Sequence, residues 1–131
     1  VGDPTQPNFL NAAVILLTPL SANLLKQQLS AIELSLGRQR SANPNAARTI
    51  DLDIAFFNHE IFLLGKRHVP DPDILVQPYL ARPLAELAPD FVHPETGQPL
   101  SAIAAPFRYR TDIWRRDDVH LPAVKAMQFN F

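Results

Sequence analysis

The sequence predicts an α+β domain, and three observations carry that expectation. Apolar residues recur at helical spacing over 21–36, apolar and acidic residues alternate over 49–57, and 13 prolines are spread along 131 residues. That is roughly twice the usual share of proline, and it cuts the chain into many short elements. The length is that of one domain. A composition of 47% hydrophobic and 19% charged residues is that of a globular chain, too apolar for disorder. No apolar run approaches the roughly 18 residues of a membrane span. The start Val1-Gly2-Asp3-Pro4 lacks the basic and apolar pattern of a secretory leader. Zero cysteines exclude disulfides, thiolate metal ligation and a cysteine nucleophile. A net charge of -1 provides no overall attraction to nucleic acid or an anionic membrane, so neither is an expected partner. A cytoplasmic protein is expected.

The elements follow in order. Leu10-Asn11-Ala12-Ala13-Val14-Ile15-Leu16-Leu17-Thr18 is almost wholly apolar and is stopped by Pro19. Its length and β-branched residues favour a buried strand, with Asn11 as its one polar side chain before Thr18. Ser21 stands where a helix cap belongs, Leu25, Leu29, Ile32 and Leu36 share one helical face, and Gly37 is the stop signal. Lys26, Gln27 and Glu33 are assigned to the polar, solvated side. Residues 38–48 contain three arginines and turn formers and read as a basic loop. Thr49 to Phe57 alternates as a strand, with Ile50, Leu52, Ile54 and Phe56 on one face and Asp51, Asp53 and Ala55 on the other. Asn58-His59 is a turn into a second strand, Glu60–Leu64, followed by Gly65 and Lys66. Asp71 and Pro72 form a cap and first-turn pair for a short helix. Tyr79 to Leu87 reads as helical around Pro83, Phe91-Val92 as a short strand, and Leu100 to Ala105 as one or two helical turns. From Phe107 onward there is no convincing period.

The strongest chemical feature is Arg48-Thr49-Ile50-Asp51-Leu52-Asp53-Ile54. Carboxylates at i and i+2 of a strand project the same way, roughly 7 Å apart along the chain. Such a pair suits a hard cation, and magnesium is commonly held by one or two carboxylates with phosphate oxygens and water. The arginines upstream would face a polyphosphate or offset the aspartates' mutual repulsion. A solvated sheet face is the plain alternative, and the spacing alone also leaves a sugar-nucleotide transferase open.

Arg-Thr-Ile-Asp-Leu-Asp-Ile resembles the signature of the 6-hydroxymethyl-7,8-dihydropterin pyrophosphokinase family of folate biosynthesis. The likeness extends to Gln6-Pro7-Asn8-Phe9-Leu10-Asn11-Ala12-Ala13, to Ile32-Glu33 with Gly37-Arg38-Gln39-Arg40, to Val69-Pro70, and to Arg82-Pro83-Leu84-Ala85-Glu86-Leu87-Ala88-Pro89. It covers roughly residues 4 to 91. The resemblance implies a ferredoxin-like antiparallel sheet with helices packed on it, and transfer of pyrophosphate from ATP to a pterin hydroxymethyl group with Mg2+. It implies Asp51 and Asp53 as metal ligands and Arg38 and Arg48 as the catalytic arginines on the phosphates. It places Arg40 and Lys66 on the nucleotide, and Phe9, Asn11 and Tyr79 on the pterin. Planar guanidinium forks suit phosphate oxygens, and an amide offers a heterocycle both a donor and an acceptor.

Several positions depart from that pattern. No Gly-Ser-Asn strand, helix and second strand precede Val1, so the sequence reads as N-terminally truncated relative to the family. Asn45-Ala46-Ala47-Arg48 replaces a Gly-Pro-Arg loop, Asp71 replaces a nucleotide-contacting histidine, and Gln77 replaces an arginine. Residues 1–106 are expected to form the pyrophosphokinase-like core and 107–131 a C-terminal extension, with a homodimer covering the face left by the missing elements. The alternative function is a non-catalytic relative acting as a ligand-binding or interaction module. A weaker third reading is nucleic-acid binding through residues 38–48 and Arg108–Arg116. The four histidines are not expected to bind metal: His59 and His68 read as surface or turn residues, and His93 and His120 lack a suitable partner.

Overall fold

The computed structural model describes residues 10–37 and 50–118. Helix α1 (Ala22–Ser35) starts where the sequence places it, because the Ser21 hydroxyl accepts the Leu24 N–H at 3.3 Å. It ends where the Leu36 N–H returns to the Ile32 carbonyl and Gly37 takes φ 97°, a conformation that favours glycine. The face it buries differs from the expected one. Leu25 and Glu33 are its buried residues, whereas Ile32 and Leu36 are exposed.

Strands β1 (Phe62–Leu64) and β2 (Arg67–Val69) form an antiparallel hairpin in the register Phe62↔Val69, Leu63↔His68 and Leu64↔Arg67. The turn is Gly65-Lys66, with Gly65 at φ 63°, the first-position requirement of a type II′ hairpin turn. This two-stranded sheet and three helices make an α+β chain. The strand expected at 60–64 is therefore present but shorter, and its partner is the segment just after the turn.

Two expected strands are not formed. Residues 10–18 and 50–57 carry no ladder pairing, and the sheet among the described residues is the hairpin alone. A strand is stabilised by a neighbour's N–H and C=O groups, and no described strand lies beside either segment. In the first, Ala13 packs on the core while Val14, Ile15 and Leu17 are exposed, contrary to the buried strand expected there. In the second, the alternation holds from Ile50 to Ile54, with exposed Asp51 and Asp53 between half-buried apolar residues. It ends at Ala55, after which Ala55 and Phe56 both pack on the core.

The core is built by the C-terminal half. Asp71 caps a 3-10 turn (Pro72–Leu75) by accepting the Asp73 N–H at 2.9 Å, which drives Ile74 into the interior. Helix α2 (Pro78–Leu87) begins on Pro78, where a missing N–H costs nothing, and continues through Pro83. A Val92↔Pro99 bridge turns the chain into α3 (Leu100–Ala104), followed by a 3-10 turn (Ala105–Phe107). Ile74, Ala81, Leu84, Leu100 and Ile103 are the buried cluster, and Phe56, Phe91 and Phe107 pack around it. Phe56 meets Phe91 at 4.9 Å and the edge of His93 at 5.4 Å, which joins the aspartate-bearing segment to this core.

His93 is fully buried in that aromatic cluster. Its Nδ1 accepts the Glu95 N–H at 3.1 Å, so the neutral ring carries its proton on Nε2, which is buried without a hydrogen-bond partner. Burial lowers its pKa, opposed by the nearby Glu95 carboxylate and assisted by His68. The unfolded chain takes up this proton near the ordinary imidazole value of 6.5, while the folded chain resists it. Stability is therefore full above about pH 6.5 and falls as pH drops below it, by up to ~1.4 kcal/mol per pH unit for one proton. Urea unfolding at pH 7.5 and 5.5 should show this loss, and His93→Phe should reduce it; an identical loss in the variant would remove His93 as its source.

Candidate active site

The two aspartates flank Leu52, and helix α1 holds that residue by both backbone polar groups. The Leu52 N–H donates to Glu33 Oε1 at 2.8 Å, and Lys26 Nζ donates to the Leu52 carbonyl at 3.1 Å. Lys26 and Glu33 are seven residues apart, two helical turns, and so lie on one face of α1. Two side chains thus replace the ladder bonds that a neighbouring strand would supply. Glu33 is 3% exposed, which corrects its assignment to the solvated side. The signal was present: Leu25, Leu29 and Glu33 fall at steps of four, so the acid belongs to the buried stripe.

Asp51 and Asp53 are exposed on either side of this anchored residue. Asp53 Oδ1 lies 3.0 Å from Arg67 Nη1 on β2 and 3.8 Å from Lys26 Nζ on α1. Arg67 Nη2 also lies 3.8 Å from Asp71 Oδ2, so one guanidinium spans two carboxylates. Sequence reasoning singled out neither Lys26 nor Arg67 for Asp53, since each lies far from it along the chain.

Of the other candidate residues, Lys66 is exposed at the hairpin turn beside Arg67, and Asn11 is exposed on the first extended segment. Tyr79 is partly exposed near the start of α2; burial raises its hydroxyl pKa first, followed by the negative charges of Asp73 and Asp71. Phe9, Arg38, Arg40 and Arg48 lie outside the described residues. Among the described residues no group of three or more His, Asp or Glu side chains is placed to hold a metal ion. A pair of exposed carboxylates with hard oxygen donors nevertheless fits magnesium, which takes its remaining ligands from phosphate and water.

His59 and His68 have side-chain partners, and His120 lies outside the described residues. His68 Nε2 pairs with Glu95 Oε1 at 2.9 Å, and His59 stacks on Phe91 at 4.5 Å. In the segment after α3, Arg110, Arg115 and Arg116 are each paired with an acidic side chain.

The profile of the 7,8-dihydro-6-hydroxymethylpterin-pyrophosphokinase family matches residues 1–89, which include every candidate residue above. The chain belongs to this family. It is 38% identical over 95 residues to the 2-amino-4-hydroxy-6-hydroxymethyldihydropteridine pyrophosphokinase of Synechocystis, covering 72% of this chain and 48% of that protein. The protein of the same name from Pseudomonas aeruginosa is 37% identical over 95 residues, covering 72% of this chain and 58% of the relative. A folic acid synthesis protein of Pneumocystis carinii is 36% identical over 92 residues, 70% of this chain and 12% of that longer protein. The chain thus spans about half the length of its bacterial relatives. The family match ends at residue 89, ahead of buried His93, α3 and the arginine-rich segment beyond.

Proposed function

We propose that this protein is a pterin pyrophosphokinase of folate biosynthesis, transferring pyrophosphate from ATP to 6-hydroxymethyl-7,8-dihydropterin. The observation that carries the reading is the pair of exposed side chains Asp51 and Asp53 on a segment that Lys26 and Glu33 anchor at Leu52, in a chain of this family. In the reaction the pterin hydroxymethyl oxygen attacks the β-phosphorus, the bond from that phosphorus to the bridging oxygen breaks, AMP leaves, and the hydroxyl proton is lost. Little covalent chemistry falls to the protein, so catalysis is positioning and charge neutralisation.

Asp51 and Asp53 would hold Mg2+. That ion, when bound, neutralises phosphate charge and orients the leaving group. Arg38 and Arg48 offer guanidinium forks to the phosphate oxygens, while Arg40 and Lys66 add positive charge on the nucleotide side. Asn11 presents its amide to the pterin ring edge, with Phe9 and Tyr79 as aromatic contacts. The reading includes a ferredoxin-like sheet in the complete protein, a core over residues 1–106, an extension over 107–131, and a cytoplasmic setting.

Calorimetry of the full-length protein with a non-hydrolysable ATP analogue, with and without magnesium, tests binding; a coupled assay for AMP release tests turnover. Magnesium-dependent binding and pterin-dependent AMP release are expected. Nucleotide or pterin binding without turnover would favour a non-catalytic relative. Exposed Val14, Ile15 and Leu17 supply the apolar surface for the homodimer that completes this reading. Sedimentation at micromolar concentration is expected to show a dimer, and a well-folded monomer would remove that part of the proposal.

A further inference from the structure

Arg67 is the first residue of β2, one position after the hairpin turn, and its guanidinium reaches Asp53 with one nitrogen and Asp71 with the other. Its side chain is 61% exposed, so the contact makes little contribution to folding. Its position matters more than its energy. Arg67 Nη1 contacts Oδ1 of Asp53, one of the two carboxylates that fit a divalent cation, and two cations on one oxygen repel each other. Arg67 also offsets Asp71, an acid that would otherwise add negative charge beside any bound phosphate.

We propose that Arg67 is an exchangeable cation of this site: it rests on Asp53 and Asp71, and a divalent ion at Asp53 displaces it onto the phosphates of the nucleotide. This inference rests on the proposed pyrophosphokinase reading and adds a nucleotide-binding residue to it. A guanidinium suits the exchange because it stays charged at every working pH and pairs equally with carboxylate and phosphate oxygens. Lys26 does not serve in the same way, because its ammonium also holds the Leu52 carbonyl.

The assignment makes two opposite demands, which a merely structural ion pair would not. In full-length protein, Arg67→Met should bind Mn2+ alone more tightly, by about threefold or more, because a competing cation is gone. The same variant should bind a non-hydrolysable ATP analogue in saturating magnesium about tenfold more weakly, because a phosphate partner is gone. Arg67→Lys should recover part of the nucleotide affinity. Mn2+ binding is read by electron paramagnetic resonance and nucleotide binding by calorimetry, with melting temperature measured for each variant. Opposite shifts in the two affinities support the proposal. Unchanged affinities, or both weakened together, overturn the role of Arg67 while the pyrophosphokinase reading stands. A wild-type protein that binds neither Mn2+ nor the nucleotide overturns that reading and this inference with it.

Discussion

Replacing Asp51 or Asp53 by alanine is expected to abolish magnesium-dependent nucleotide binding and to lower AMP release by a factor on the order of 10² to 10³. That is the usual cost of removing one preorganised electrostatic partner of a reacting group. In Asp53→Ala the fold should be nearly unaffected. Asp53 is 45% exposed and its two cations are themselves partly exposed, so the ion pairs contribute at most about 1 kcal/mol. Asp53→Ala should therefore keep a melting temperature within a few degrees of wild type while losing function. The separation matters, because a structural role for the aspartates predicts the reverse: a lower melting temperature with residual turnover in proportion. Asp53→Ala has a further consequence. It releases Arg67 and Lys26 together, leaving two cations beside the site with Asp71 as the remaining carboxylate partner of Arg67.

Glu33→Ala is expected to act the other way, through the fold first. Glu33 is 3% exposed and its carboxylate accepts the Leu52 N–H at 2.8 Å. Truncation leaves that donor without its acceptor, a loss of about 1–3 kcal/mol, with a cavity beneath α1 adding to it. For a domain of this size, that lowers the melting temperature by several degrees or more. Below the melting range the variant should also lose turnover, because Leu52 is the residue that sets the directions of Asp51 and Asp53. Glu33→Gln retains a carbonyl oxygen to accept the bond and should recover the part of each loss that comes from it. If Glu33→Ala leaves melting unchanged, the anchoring of Leu52 by α1 is not what holds the aspartate segment.

These two variants also mark how far the sequence was legible. The aspartate pair was readable because period-two alternation is a local property, and Asp51 and Asp53 remain exposed even though their segment joins no sheet. Glu33 was misassigned because a four-residue face of leucines and isoleucine looked sufficient to define the buried stripe of α1. In the structure Ile32 and Leu36 are exposed and the acid takes the interior place, compensated by a backbone donor from a segment 19 residues away. A buried polar group is tolerated when its hydrogen bonds are made, and sequence periodicity alone cannot see the partner.

The run at 10–18 shows the same division. Its β-branched, apolar character was correctly read, but those residues specify a preference for extended backbone and not the neighbour that would make a strand of it. The short C-terminal elements were recovered well. Asp71 and Pro72 start a turn, Pro78 and Pro83 sit within one helix, and Leu100 opens another.

By itself the sequence determined what neighbouring residues decide: the Ser21 cap and Gly37 stop of α1, the Asp71 cap, the Asp-x-Asp spacing and the family likeness. Each depends on backbone preference or side-chain reach over a few residues, which chain order encodes directly. Tertiary structure alone decided that Lys26 and Glu33 grip Leu52, that Arg67 spans Asp53 and Asp71, and that His93 is buried against the Phe56 ring. Except for the Arg67–Asp71 reach, these joins link residues well apart along the chain, and their geometry comes from packing α1 and the β1–β2 hairpin around one short extended segment.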